Sequence, residues 1–227
     1  MVHHSGCTAL SSAGMLVGAL CGKQARSQGL STAPRVGEFS GSPSYDHVKR
    51  ADLEHIIRAA ATIAADDELI IVGSQSVLAQ FPDAPEEMLR SDEADVYPKN
   101  KPERWELIDG AIGELSLFHD TFGYYAQGVE EGVATLPRGW KDRLIPLSTP
   151  ATRGATGFCL ELHDLLISKY VANREKDRRY CRAAANAGLA QRDILDKRLA
   201  ATELDTQVRD LVSALIVKDF STGGARQ

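Results

Sequence analysis

Glu93 and Asp95 stand two residues apart in the segment ELIIVGSQSVLAQFPDAPEEMLRSDEADVYP, residues 68–98. Side chains in a strand alternate faces, so this spacing puts both carboxylates on one side. Two carboxylates so placed repel unless a cation lies between them. Magnesium, an oxygen-seeking ion that keeps waters and binds substrate phosphates, suits that position. Some twenty residues earlier, the apolar run Leu69 to Val72 leads into Gly73, Ser74, Gln75 and Ser76. A glycine turn that opens a helix offers free N–H groups to phosphate. Together the two halves describe a site for a metal-bound nucleoside triphosphate. Each half also has an ordinary explanation: solvated acidic charge for the first and a helix cap for the second.

These residues need a scaffold that holds a strand, a turn and a second strand together. The periodicity predicts a helix over residues 45–67, with Leu53, Ile56, Ile57, Ala60 and Ile63 inward, and then a buried strand from Leu69. A short helix follows Ser74 and is stopped by Phe81–Pro82. A strand over 88–97 carries Glu93 and Asp95. A helix over 99–115 comes next, started by Pro102. A strand is expected within 119–129, a hairpin partner at 132–136, and an edge strand at 143–147. After Thr152 the composition turns helical, over 160–171, through the basic segment 169–182, and over 190–219. The expected fold class is α+β: a mixed twisted sheet flanked by helices, then a helical domain. The expected divisions are a mobile tail over 1–44, the sheet domain over 45–150, the helical domain over 151–220 and a tail over 221–227.

The chain has 227 residues, 43% of them hydrophobic, and a formal net charge of -5. That supports a substantial core and excludes a uniform polycation, although a local basic patch suffices for nucleic acid. The four cysteines, at 7, 21, 159 and 181, have neither metal-ligand spacing nor the density of a disulfide framework. The apolar segment 9–20 follows His3 and His4 without a Lys or Arg, so it lacks the charged start of an export signal. Gly22-Lys23-Gln24 lacks the glycine-rich half of a phosphate loop. No membrane span is expected, and a cytoplasmic location is the plain expectation.

The glycine–serine turn, the later acidic strand and the helix HDLLISKYVANREKDRRY, in that order, resemble the minimal nucleotidyltransferase superfamily. Within it they resemble the toxins of bacterial toxin–antitoxin and abortive-infection (AbiEii-like) systems, over roughly residues 50–190. The resemblance implies that Gly73 and Ser74, with Ser76 in the same turn, hold the triphosphate, and that Glu93 and Asp95 bind magnesium. It gives Lys169 and Arg174 to the phosphates, Arg bidentately and Lys as a point charge. Asp177, three residues beyond Arg174, either orients that arginine or reaches the active site. Lys176 is placed on a different side of the helix. The implied activity is transfer of a nucleoside monophosphate from NTP to an RNA 3′ end, with tRNA the expected acceptor and translation the process blocked. An antitoxin protein is the implied partner. A protein or small-molecule acceptor is the first alternative, and a catalytically degenerate binding module the second.

Two departures from the family pattern bear on the site. Glu93 stands where family members usually have aspartate. The third carboxylate of the superfamily is not evident: the later strand offers Gln127, and Glu130 and Glu131 lie only at its end. Two further expectations complete the reading. Ser91, two residues before Glu93, would share its strand face, so a phosphate there would repel the triphosphate and silence the enzyme. Arg138, Trp140 and Lys141, with Arg178, form a candidate RNA contact through phosphate pairing and stacking.

Overall fold

The computed structural model describes residues 48–222. The tail expected over 1–44, residues 223–227, and Cys7 and Cys21 lie outside the described residues. Helix α1 (Arg50–Ala64) opens where Asp52 accepts a hydrogen bond from the Lys49 N–H at 2.8 Å. It buries Leu53, Ile56, Ile57, Ala60, Ala61 and Ala64, the face that the three-and-four spacing marks. Strand β1 (Glu68–Ile71) follows. Asp66 sits between the two and accepts from the backbone N–H groups of Glu68, Asn100 and Lys101. It thereby ties the start of β1 to the residues just past the second strand.

The turn after Gly73 is a 3-10 helix, Ser74–Ala79, rather than an α-helix. Helix α2 (Glu86–Leu89) comes next, and β2 spans Glu93–Pro98. The strand expected over 88–97 is therefore shorter, because its first residues form α2. A 3-10 turn at Pro102–Arg104 leads into α3 (Trp105–Ile112), a trimmed form of the helix expected over 99–115. The next expected strand is divided. Its first half is α4 (Leu117–Phe122), capped by Ser116 and ended by Gly123 at a positive φ of 77°. Only β3 (Tyr125–Gly128) is extended. β3 runs parallel to β2, and residues 132–136 are not extended, so the expected hairpin does not form. They cross as a loop toward β4 (Ile145–Leu147), the expected edge strand.

Strand β5 (Thr156–Cys159) has no counterpart among the expected elements, yet it lies beside β1 inside the sheet. The order is β3-β2-β1-β5-β4. β1 pairs parallel with β5 and antiparallel with β2, and β4 pairs antiparallel with β5. The sheet is thus mixed, as the α+β expectation has it. Gly157 in β5 lets α1 approach closely, since a Cβ there would lie 2.5 Å from the Ile57 side chain.

Helices α5 (Leu162–Ala172), α6 (Glu175–Asn186), α7 (Arg192–Ala200) and α8 (Thr206–Thr222) complete the chain. They share one continuous buried cluster with the sheet and α1. Asp164, fully buried on α5, binds Arg143 through two hydrogen bonds of 2.8 and 2.9 Å and lies 3.0 Å from Arg198 on α7. His163 takes a structural role: its Nε2 accepts from the Gln191 N–H, so Nδ1 carries the proton and donates to Glu161. Cys159 and Cys181 are buried free thiols. Among the described residues no helix is long and apolar enough to cross a membrane.

Candidate active site

A cleft of about 390 Å³ opens where the ends of β1 and β2 face α5 and the start of α6. The strands contribute carboxylates and the helices contribute cations. Glu93 and Asp95 share a face of β2, as strand alternation requires, and both line the cleft. Gly73 and Ser74 line it from the turn after β1; Lys169, Arg174, Lys176 and Asp177 line it from the helices.

Close packing fixes the carboxylate side. The Val72 N–H donates to the Asp95 carbonyl at 3.0 Å, which draws the Gly73 turn against β2. A Cβ on Gly73 would lie 1.8 Å from Asp95 Oδ2, so only glycine fits. Burial, and then the negative charge of Glu93, push the Asp95 carboxyl up to about 6. Glu93 is held at both oxygens: the Tyr125 hydroxyl donates to Oε2 at 3.1 Å, and Lys176 Nζ lies 3.7 Å from Oε1.

The cationic side is built on a buried anion. Asp177 is fully buried and accepts from Arg174 Nε at 2.6 Å and from Lys169 Nζ at 3.4 Å. Lys169 also donates to Ser74 Oγ at 3.0 Å and lies 4.4 Å above the Tyr180 ring. Burial draws the Lys169 ammonium below its ordinary pKa, and Asp177 opposes that shift. The Tyr180 hydroxyl donates to the Ser74 carbonyl at 3.0 Å. One helical hub thus grips the Gly73–Ser74 turn by side chain and by backbone. The Arg174 side chain remains 64% exposed, so its remaining N–H groups stay open to the cleft.

A family model described as "Nucleotidyltransferase of unknown function (DUF6036)" matches residues 51–221. The chain belongs to this nucleotidyltransferase family. No curated protein and no solved structure matches it.

The other expected residues of this DUF6036 nucleotidyltransferase are placed as follows. Ser76 is fully buried below the turn, its hydroxyl outside the cleft lining and without a hydrogen-bond partner among the described residues. Ser91 precedes β2 instead of sharing its face, because α2 ends at Leu89 and the Gln75 side chain captures the Ser91 carbonyl at 2.6 Å. Lys176 reaches Glu93, although helical spacing sets it apart from Arg174. Arg174 is the N-cap of α6, so its placement does not follow the helical repeat.

Gln127 pairs with Asp95 in the β2–β3 register and donates to Asp109 at 2.7 Å. Glu131 pairs with Lys141 at 2.6 Å, and neither it nor Glu130 lines the cleft. No third carboxylate joins the pair: among the described residues no group of three or more His, Cys, Asp or Glu is disposed to hold a metal. The two carboxylates share a face of β2 and line the same cleft, a pair of hard oxygen donors of the kind that magnesium takes.

Trp140 packs partly against the core, with Lys141 5.6 Å from its ring centroid. Arg138 is exposed, and its backbone N–H is bound to the Ala201 carbonyl. Arg178 is exposed on α6, a separate element from that loop. Sequence reasoning missed Tyr125, Tyr180 and the loop residues Val133, Ala134 and Thr135, which close one side of the cleft.

Proposed function

We propose that this nucleotidyltransferase transfers a nucleoside monophosphate from an NTP to the 3′ hydroxyl of an RNA, the acceptor end of tRNA, with magnesium in attendance. The observation that carries the reading is a single cleft with two carboxylates on one wall and three cations, Lys169, Arg174 and Lys176, on the other. The acceptor oxygen attacks the α-phosphorus, a new phosphodiester bond forms, the bond to the β-phosphate oxygen breaks, and pyrophosphate leaves.

Glu93 and Asp95 would hold the metal. When bound there, a divalent cation lowers the pKa of an attacking hydroxyl and neutralises phosphate oxygens. The chain's own part is positional and electrostatic. The Gly73–Ser74 turn presents backbone to the phosphates. Lys169 and Arg174 stabilise charge that builds on the departing pyrophosphate, Arg174 with the N–H groups that Asp177 leaves open. Asp177 is a positioning residue, since both cations owe their placement to it. The toxin role and an antitoxin partner rest on the resemblance of the glycine–serine turn, acidic strand and basic helix to that branch.

One observation favours a second reading. Gln127 stands opposite Asp95 where the superfamily would place its third carboxylate, and Glu93 is already occupied by Tyr125 and Lys176. A degenerate site that binds nucleotide without turnover is the alternative. Incubation of the full chain with magnesium, each α-labelled NTP in turn and total RNA, beside the Asp95→Ala variant, separates them. Label on tRNA-sized RNA, lost in the variant, is the expected result. Label on protein moves the acceptor to a protein, and NTP binding without transfer establishes the degenerate site.

A further inference from the structure

A second groove, of about 590 Å³, lies between α2 and α6 and borders the cleft through Lys176, which lines both. Its polar rim is basic. Lys176, Arg179 and Arg182 recur every three residues along α6, and Arg90 faces them from the end of α2. The helical rise separates successive α6 cations by roughly 4.5 Å along the axis, so they form a row leading away from the cleft. Pro85, Ala183 and Ala187 supply an apolar floor, and among the described residues Glu87 is the one acidic residue in the lining.

The cations of the row are weakly engaged. Lys176 lies 3.7 Å from Glu93, Arg179 3.9 Å from Glu175 and Arg182 3.7 Å from Asp219. These separations exceed hydrogen-bonding distance, and the three basic side chains are 53–62% exposed. The Arg179–Glu175 pair is exposed on both sides and of a kind that contributes little to stability, so phosphate could replace Glu175 at small cost, while the buried Asp219 keeps the hydrogen bond from the Tyr170 hydroxyl if Arg182 turns to phosphate. A compact anion would use one or two of the four cations, whereas a row that ends at the carboxylate pair matches a linear polyanion whose terminus must reach Glu93 and Asp95.

We propose that the α2–α6 groove binds the phosphate backbone of the single-stranded end of the acceptor RNA and delivers its 3′ terminus past Lys176 into the cleft. This rests on the transfer reading above and assigns the acceptor surface to α6 and α2, in place of the loop around Trp140.

The test uses the full chain and a fluorescent single-stranded RNA oligonucleotide, with binding measured by anisotropy over a series of salt concentrations. Arg90→Glu and Arg179→Glu, singly and together, are the variants, since neither residue contacts the NTP site. Each lost phosphate contact should reduce the slope of log K against log salt by about 0.7. The double variant should bind the oligonucleotide at least tenfold more weakly, while binding of a fluorescent NTP stays unchanged. Wild-type RNA affinity and slope in the double variant would overturn the groove. Transfer to RNA that survives charge reversal would also overturn it while leaving the transfer reading intact. RNA binding that depends on Arg90 and Arg179, without label transfer, would uphold the groove and sink the transfer reading. Wild-type chain that fails to bind RNA and labels protein instead overturns both.

Discussion

Gly73 and Asp95 meet so closely that a single methyl carbon on the glycine would lie 1.8 Å from the carboxylate oxygen. The contact joins the turn after β1 to the carboxylate-bearing strand β2 without an intervening side chain. It also makes residue 73 a steric gauge of the site.

Gly73→Ala must displace the Asp95 side chain or the turn. We expect nucleotidyl transfer to fall at least a hundredfold and stability to fall by about 1–3 kcal/mol, the usual cost of overpacking. Urea unfolding and transfer of α-labelled nucleotide measure the two effects. Wild-type transfer in this variant would show that Asp95 does not need its observed position.

Asp95 gives a pH prediction. Burial and Glu93 raise its carboxyl from 3.8 to about 6, so the folded state holds a proton that the unfolded chain releases. The folded state is therefore favoured below the unfolded pKa, loses that advantage as pH rises toward about 6, and stays at the lower level above it. Asp95→Asn should stabilise the metal-free protein at pH 7.5 by on the order of 2 kcal/mol, and by much less at pH 4. Thermal melts in chelator at the two pH values give the comparison. In the wild type, magnesium affinity should decline as pH falls through about 6, because the ligand must be ionised. Calorimetric titration would read this as proton uptake by the buffer on binding.

Asp177 and Lys169 should behave as a unit. Asp177→Ala leaves the buried ammonium unopposed and should cost about 3–5 kcal/mol. Lys169→Met in the same chain should recover much of that stability, because the unpaired charge is gone. Transfer should stay abolished in the double variant. A double-mutant cycle in urea, run beside the transfer assay, reports both quantities; strictly additive stabilities would sink the coupling.

Tyr180→Phe keeps the ring beneath Lys169 and removes only the hydrogen bond to the Ser74 carbonyl. The expected stability loss is about 1 kcal/mol. We expect a raised KM for NTP with a smaller change in kcat, since the turn loses its anchor while the cations stay in place. Steady-state kinetics across NTP concentration distinguish this from a loss confined to kcat.

The parts of the site that follow local periodicity were legible in the sequence. The run Leu69–Val72 reads as a buried strand, Glu93 and Asp95 alternate onto one face, and the segment from Leu162 reads as a helix carrying Lys169. The missed parts depend on distant neighbours. Tyr180 meets Ser74 across 106 residues and Tyr125 meets Glu93 across 32, and no local spacing marks either tyrosine. β5 escaped notice because four residues that include a glycine make a weak strand signal; Gly157 is explained only by Ile57 packed above it. The strand assigned to 88–97 was too long because Met88 looks like a strand residue in sequence, yet it is a buried position of α2. Lys176 was set aside on helical spacing, a rule that does not extend to Arg174 at the cap.

The grip of Lys169 and Tyr180 on Ser74 has a consequence during synthesis. Chains emerge and begin to fold from the N-terminus. A nascent chain that has reached β4 already contains Gly73, Glu93 and Asp95, while Lys169, Arg174 and Tyr180 have yet to be made. Such a chain has the carboxylate wall of the cleft without its cationic wall, so the transfer we propose cannot yet begin. On that proposal competence arrives only with α6, and an interval separates the appearance of the polypeptide from the appearance of its activity.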